Sequence, residues 1–474
     1  MENIEFDGIP TSIRKPGKYI EFNTRLAVRT LPANLQRMLI VAQRLTAGTV
    51  AALVPTRVFS DAQAAVYFGS GSNAHRMVRA AITANPYLDL TVVALDDNSA
   101  GVAAAGTETI GGPATGPGSY KLFIGHDKIE VGVARGDTAA AIAAALVAAA
   151  AKRTDLPATL AVNGGNPAQI NVTAKHKGTI GNQVRITHEI SASGVTGTTV
   201  AMAGGATDPD ITLALAAVFG EQYHFVAGPY LDQTAVTALR DHLDSVSGPL
   251  EQRPGRGVVA QTGALAAATT LAGQINSGRV SIPHLRGTRS QACELAAAYA
   301  AVGAFEEDPA KPWNTLVLKG IHAPSIADRL SRTEQESELY NGVAPLEVGP
   351  GEKVQIVRAI STYTQDGQGV DDISLLDFTT IGTLDYVRKA IRERVSLRFP
   401  RAKLSSKTSP RVRTEILDVL YKLEELEIVE NVAANADGVV VQKSPQDPNR
   451  LDAKIPVDIV NGLHVFAGRI DLLL

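Results

Sequence analysis

Leu88-Asp89-Leu90-Thr91-Val92-Val93-Ala94-Leu95 follows directly on a helix-forming stretch from Asn73 to Ala84, and this succession decides the fold class. The run is almost wholly apolar and carries adjacent valines, which predicts a buried strand. The helix before it opens at Gly69-Ser70-Gly71-Ser72, and another runs from the cap Ser60-Asp61-Ala62-Gln63 toward Phe68. Short apolar runs separated by turns, 36–43 and 51–59, precede both. Strand alternating with helix is the pattern of an α/β layer.

Toward the C-terminus the texture changes. From about 99 to 208 glycine, threonine and alanine dominate, with strands expected at 119–124, 129–133, 160–162, 170–173 and 183–189. One helix interrupts them, capped by Asp137 or Thr138 and closed by Lys152-Arg153, as in a small inserted α+β domain. The α/β pattern resumes at Ile211, with strands expected at 223–227, 257–260 and 279–282 and helices at 234–246 and 291–305. A last region begins near Ala344. It holds a strand at 353–360, a long helix at 383–399, a second at 413–427, and strands from Gly438 onward.

Both ends read as strands without partners. Leu463-His464-Val465-Phe466-Ala467-Gly468-Arg469-Ile470-Asp471-Leu472-Leu473-Leu474 alternates at Leu463, Val465 and Ala467 and again at Ile470, Leu472 and Leu474. The slip of phase near Gly468 predicts a bulge. At the other end, Arg14-Lys15-Pro16-Gly17-Lys18-Tyr19-Ile20-Glu21-Phe22 sets a Pro-Gly turn before a short alternating run. An unpaired apolar strand templates association, so if its partner is another copy each subunit becomes a link in a polymer. The expected organisation is an N-terminal arm (1–25), an α/β domain (26–98 and 209–343), an inserted outer domain (99–208), a C-terminal domain (344–454) and a C-terminal arm (455–474). The fold class is therefore mixed, α+β and α/β, in several domains. Deleting 455–474 is expected to abolish polymerisation and leave the fold intact.

Composition narrows the function. Of 474 residues, 45% are hydrophobic and 20% charged, the balance of a soluble globular protein. Lys plus Arg total 45 against 48 Asp plus Glu, so no basic field exists to hold nucleic acid. The single Cys293 excludes an intramolecular disulfide, and its apolar periodic surroundings predict a buried, inert thiol. Glu2, Glu5 and Asp7 are unlike a secretory leader, and no run of about 20 apolar residues suggests a membrane span. A cytoplasmically made, non-secreted product is expected. Nucleotide-loop, serine-elbow and His-Glu-x-x-His motifs are absent, and the nine histidines never fall at metal-ligand spacing. Gly69–Ser72 lacks the dinucleotide fingerprint and reads as an ordinary helix start. Asp371-Asp372 and Glu306-Glu307-Asp308 flank turns or helices, where solvated acids belong. No catalytic residue, cofactor or metal is expected. On the long helix, Leu384, Val387, Ile391 and Val395 form an inward stripe, leaving Arg388, Lys389, Arg392, Arg394 and Arg398 as an outward basic face. Such a face is either solvated or docked on an acidic partner.

The C-terminal third also carries a family resemblance. Gly351-Glu352-Lys353-Val354-Gln355-Ile356-Val357-Arg358-Ala359-Ile360-Ser361-Thr362-Tyr363, Asp372-Ile373-Ser374-Leu375-Leu376-Asp377, Thr383-Leu384-Asp385-Tyr386-Val387-Arg388 and Arg398-Phe399-Pro400-Arg401 resemble the tail sheath proteins of contractile-tailed bacteriophages, the Mu-like branch in particular. Asp308 to Leu316, Tyr340-Asn341-Gly342-Val343, the Gly178 to Asn182 turn and Pro16 to Glu21 extend the similarity over nearly the whole chain. Leu404 to Ser409 departs from the acidic-glycine loop of the family pattern.

The resemblance implies a sheath-type C-terminal domain with extended terminal strand arms, and a subunit with itself as first partner, in hexameric rings stacked helically around a tail tube. Baseplate and tail terminator are further implied partners, with no direct nucleic-acid contact and no membrane insertion. It implies a structural protein, not an enzyme, located in the virion tail sheath and in the host cytoplasm during assembly. Its contraction drives the tube through the bacterial envelope during genome ejection. Arm residues Lys18, Tyr19, Ile20, Phe22, Leu463, Val465, Ala467, Ile470 and Leu472 then add strands to a neighbour's sheet. Val354, Ile356 and Arg358 mark the expected acceptor strand, with 439–442 as the other candidate. Arg388, Lys389 and Arg392 are the tube-facing candidates. The sheath of a tail-like bacteriocin or another contractile injection system, an α/β enzyme with an unrecognised site, and a monomeric binding protein are the alternatives.

Overall fold

The computed structural model describes residues 14–15, 17–18, 31–32 and 34–473. Strand β1 (Arg37–Gln43), β2 (Thr56–Arg57), helix α1 (Asp61–Phe68), α2 (Asn73–Ala84) and β3 (Asp89–Leu95) open the α/β layer. Both helices are capped by the serines expected, Ser60 and Ser72. β1 and β3 pair in parallel from Arg37 opposite Asp89 to Gln43 opposite Leu95. Both are covered on two faces, which is why they read as continuous apolar runs.

The insertion follows as β4 (Ala103–Gly111), β5 (Gly118–Ile124), β6 (Asp127–Val133), α3 (Ala139–Ala150), β7 (Ala158–Val162), β8 (Gln169–Lys177), β9 (Ile186–Ile190) and β10 (Thr196–Ala203). Two antiparallel sheets, β10-β4-β8-β7 and β6-β5-β9, close on their own core around Tyr120, Leu122, Ile142, Leu146, Ile170 and Val172. β4 and β10 escaped the sequence reading because their alanines, glycines and threonines carry little strand signal. Residues 179–183 form a 3-10 turn, so the strand expected from Gln183 starts only at Ile186. There Gly178 adopts φ +110°, open to glycine alone, and Asn182 exchanges two hydrogen bonds with the Gly205 backbone at 2.8 and 2.9 Å. The Gly178 to Asn182 turn thereby ties down the chain leaving β10.

The layer resumes with α4 (Thr212–Ala217), β11 (Phe225–Ala227), α5 (Gln233–Ser247), β12 (Arg256–Val258), α6 (Leu265–Ile275), β13 (Val280–Ser281), β14 (Pro283–His284), α7 (Ala292–Gly303), α8 (Arg332–Tyr340), β15 (Ala344–Gly349) and β16 (Lys353–Ile356). The sheet order is β13-β12-β11-β1-β3-β2, parallel except for β2. Met38, Ile40, Val92 and Phe225 face α2 and α7, whereas Leu39, Val41, Val93 and Val226 face α5 and α6. Ala344, Leu346, Val354, Ile356, Ile360 and Phe378 join the first of these cores.

The last elements are α9 (Phe378–Arg398), α10 (Thr408–Glu425), β17 (Val429–Glu430), α11 (Val432–Asn435), β18 (Val440–Lys443), β19 (Leu451–Lys454) and β20 (Asp458–Ile459). Two compact units result, one holding 34–386 and 459–473, the other 387–458. The chain therefore divides at Tyr386, not near Ala344 as the composition suggested, because Ala344, Leu346, Val354, Ile356, Ile360 and Phe378 are buried in the α/β core.

Candidate assembly surfaces

The features that first suggested small-molecule chemistry are used up inside the fold. At the start of α2, the His75 amide donates to Ser72 Oγ at 3.1 Å, the Asn73 amide to His176 Nε2 at 3.2 Å and the Gly71 amide to His75 Nδ1 at 3.0 Å. Those amides are spoken for by the chain itself. Among the described residues no group of three or more His, Cys, Asp or Glu is placed to hold a metal ion, and no helix is long and apolar enough to cross a membrane. Cys293 is buried in α7, and burial pushes its thiol up to about 12.

The C-terminal tail is built in three stages. Pro456 and Val457 lie against Leu420, Val429, Val432 and Val439 in a small apolar recess of the C-terminal unit, and Asn431 Nδ2 donates to Asp458 Oδ2 at 2.9 Å. Next, in the other unit, Gly462 passes so close to Pro312 that an added Cβ would lie 2.5 Å from the proline ring. His464 follows, with Nδ1 3.1 Å from Asn314 Nδ2 and Nε2 3.4 Å from Asp377 Oδ1. Arg358 grips the same Asp377 with two bonds of 2.8 Å. Burial alone would raise the Asp377 carboxyl, but His464 and Arg358 outweigh it and hold the group at about 2. Beyond His464 every described residue is exposed, Val465 at 79%, Phe466 at 87% and Ile470 at 98%.

The expected arm at 455–474 is thus shorter, because 456–464 packs on its own chain. Leu463, Val465, Ala467, Ile470 and Leu472 carry no strand assignment, and neither does Gly468, where a bulge was expected. Strand geometry needs a neighbouring edge, and the described residues offer none there. Of the N-terminal arm, Lys18 is exposed. Tyr19, Ile20 and Phe22 lie outside the described residues.

The expected acceptor strand is closed. β16 pairs with β15 along one edge. Along the other, the Leu318 amide donates to Val354 O at 2.9 Å and the Ile356 amide to Leu316 O at 3.0 Å. Val354 and Ile356 are buried, and Arg358 lies past the end of the strand on Asp377. The alternation that suggested an acceptor reflects burial in the core. The β18–β19 hairpin differs: it is a two-stranded antiparallel sheet, Val440 opposite Lys454 and Lys443 opposite Leu451, and among the described strands each has one outer edge unpaired.

The basic face of α9 is also rearranged. Arg394 points inward, buried, at 2.8 Å from Asp418 and 3.2 Å from Glu415, and Arg398 reaches Glu415 at 3.6 Å. Two carboxylates a turn apart on α10 neutralise what the helix alone shows as solvated charge. Arg388 and Lys389 are half-buried and Arg392 exposed, and each has an interaction within the chain.

Family comparisons agree with this geometry. Residues 204–362 match the phage tail sheath protein central domain and 370–472 the phage tail sheath C-terminal domain. Over the full length of both chains, the protein is 32% identical to the Mu-like prophage FluMu tail sheath protein of Haemophilus influenzae. The chain belongs to the phage tail sheath family. Its fold is shared with the sheath tail protein of Desulfitobacterium hafniense, at 13% identity and TM-score 0.52 over 94% of this chain and 97% of that one. It is shared too with the sheath tail protein of Listeria innocua, at 14% identity and TM-score 0.50 over 92% and 94%. In this sheath subunit the sequence reading missed Gly462, His464, Asn314 and Asp377. A polar histidine interrupting an apolar alternation was the one local signal, and its partners lie up to 150 residues away.

Proposed function

We propose that the protein polymerises as hexameric rings stacked helically around a tail tube, and that its contraction drives the tube through the bacterial envelope during genome ejection. Assembly begins in the host cytoplasm, and the polymer meets the baseplate at one end and the terminator at the other. The observation that carries this reading is the C-terminal segment 465–473, rich in apolar side chains and exposed, in a chain whose family forms sheaths. Left bare, five large apolar side chains (Val465, Phe466, Ile470, Leu472 and Leu473) would be an aggregation hazard, so their burial belongs to the assembled state. The β18–β19 hairpin of a neighbouring copy offers the unpaired edges such a strand needs, a head-to-tail contact that repeats into an open helix. Contraction is then a rigid-body rearrangement of subunits joined by unbroken arms, with the energy stored in the interfaces. Arg388, Lys389 and Arg392 are the proposed tube contacts; reversing the exposed Arg392 should weaken assembly on tubes.

Truncation after His464 tests the reading. The shortened chain is expected to keep its fold and remain monomeric in sedimentation, while the full chain forms tubes or ring stacks under negative stain. Tubes formed by the truncated chain would overturn it.

A further inference from the structure

We infer that His464 is a clamp fixing the point at which the C-terminal arm leaves its own subunit, so that the segment delivered to a second copy of this chain begins at Val465. The inference deepens the proposed function and rests on it for the identity of the recipient.

Three observations converge on this boundary. Exposure changes abruptly: Gly462 and His464 are partly buried, and every described residue from Val465 onward is exposed. Gly462 threads over Pro312 through a gap that admits no side chain. His464 then fills a site whose groups come from distant parts of the fold, Asn314 from the loop after α7 and Asp377 from the residue before α9, itself held by Arg358.

The polar atoms match a neutral imidazole. With its proton on Nε2 the ring donates toward Asp377 and accepts at Nδ1 from the Asn314 amide. The remaining Asn314 Oδ1 is buried without a partner. Asp377 is the carboxylate at the ring, and Arg358 holds it in place.

A hinge directly after a fixed point has a mechanical consequence. A tail free from 455 would search a large volume, whereas one released only at Val465 is short and starts from a defined position on the subunit, which raises its effective concentration at a neighbour's edge.

Spin labels read the clamp. Cys293 is buried and inert, so a cysteine introduced by Leu463→Cys or Ala467→Cys takes the label selectively in the full chain. In unassembled protein, the label at 463 is expected to show the slow motion of anchored backbone and that at 467 the fast motion of a free terminus. His464→Ala should shift 463 to the mobility of 467, and Gly462→Ala, by collision with Pro312, should do the same. His464→Gln, which keeps a donor and an acceptor, should shift it less. Emission from Trp313 reports that the fold is kept. Equal mobility at 463 and 467 without a further substitution, or no change at 463 in both His464→Ala and Gly462→Ala, overturns the clamp. Assembly should immobilise 467; a label there that stays mobile in tubes overturns delivery of the arm to a neighbour, and the 463 result still decides the clamp.

Discussion

Arg76→Met removes the centre of a buried charge network that joins the insertion to the α/β layer. Arg76, fully buried on α2, lies 2.7 Å from Asp127 at the start of β6 and 2.7 Å from Glu294 on α7. Asp127 has a second partner in Arg153 at 3.0 Å, and Glu294 in His126 at 3.2 Å. Removing one member of a buried ion pair costs roughly 3–5 kcal/mol, because the charge left behind stays desolvated. The two remaining partners place the expectation at the lower end, about 3 kcal/mol. The pH dependence has a definite sign. Burial pushes the Glu294 carboxyl up, but Arg76 and then His126 outweigh it and hold the group well below the ordinary range. In the native protein its contribution is present above the unfolded value and lost only as pH falls through the depressed folded value. Without Arg76 the burial term gains ground, and protonation relieves the stranded charge. The penalty should therefore shrink between about pH 7 and pH 5. Urea unfolding of the unassembled chain, followed at Trp313, measures it. This sole tryptophan packs 5.6 Å from Tyr299 and 5.8 Å from Phe225 and Phe378, in the core that α2 and α7 share. A loss below about 1 kcal/mol, the range of an exposed pair, or a penalty that grows on acidification would refute the reasoning.

Two further outcomes are expected. Arg394→Leu removes the buried partner of Glu415 and Asp418, which keep Arg398 at 3.6 Å and Lys422 at 3.2 Å, and should lower the stability of the C-terminal unit by about 2 kcal/mol, between the range of an exposed and of a buried pair, measured by denaturant unfolding followed by circular dichroism. A change near zero would place Arg394 among solvated charges after all. The Cys293 thiol, pushed up to about 12 by burial, should resist a thiol reagent at neutral pH and react fully once urea is added; rapid labelling of the folded chain would contradict its burial.

Helices with a serine cap or an apolar stripe were legible because both signals are local: α2, capped by Ser72, spans Asn73–Ala84, and α5, with apolar positions at Val236, Leu239, Leu243 and Val246, spans Gln233–Ser247. The strands of the central sheet were equally plain, since covering on both faces leaves an uninterrupted apolar run. Partner choice was not legible. Period two at 353–356 tells which side chains share a face, but not that Leu316 to Leu318 occupies the strand's outer edge. Arg394 on its helix looks like its solvated neighbours until α10 brings two carboxylates against it. Arg256, the first residue of β12, ends buried over Phe225 at 4.3 Å and donates to Phe378 O, with burial pushing its guanidinium down to about 10.

The tail shows the same division. Alternation and composition, which are properties of adjacent residues, mark the last residues as apolar and raise the expectation of an arm, and the structure leaves 465–473 exposed without strand pairing. Where the tail becomes exposed depends on Pro312, Asn314, Arg358 and Asp377, which only folding gathers around Gly462 and His464. Contacts between segments 150 residues apart leave no periodic trace in either segment. The apolar alternation is written locally, and the point where the tail becomes exposed is set by long-range packing.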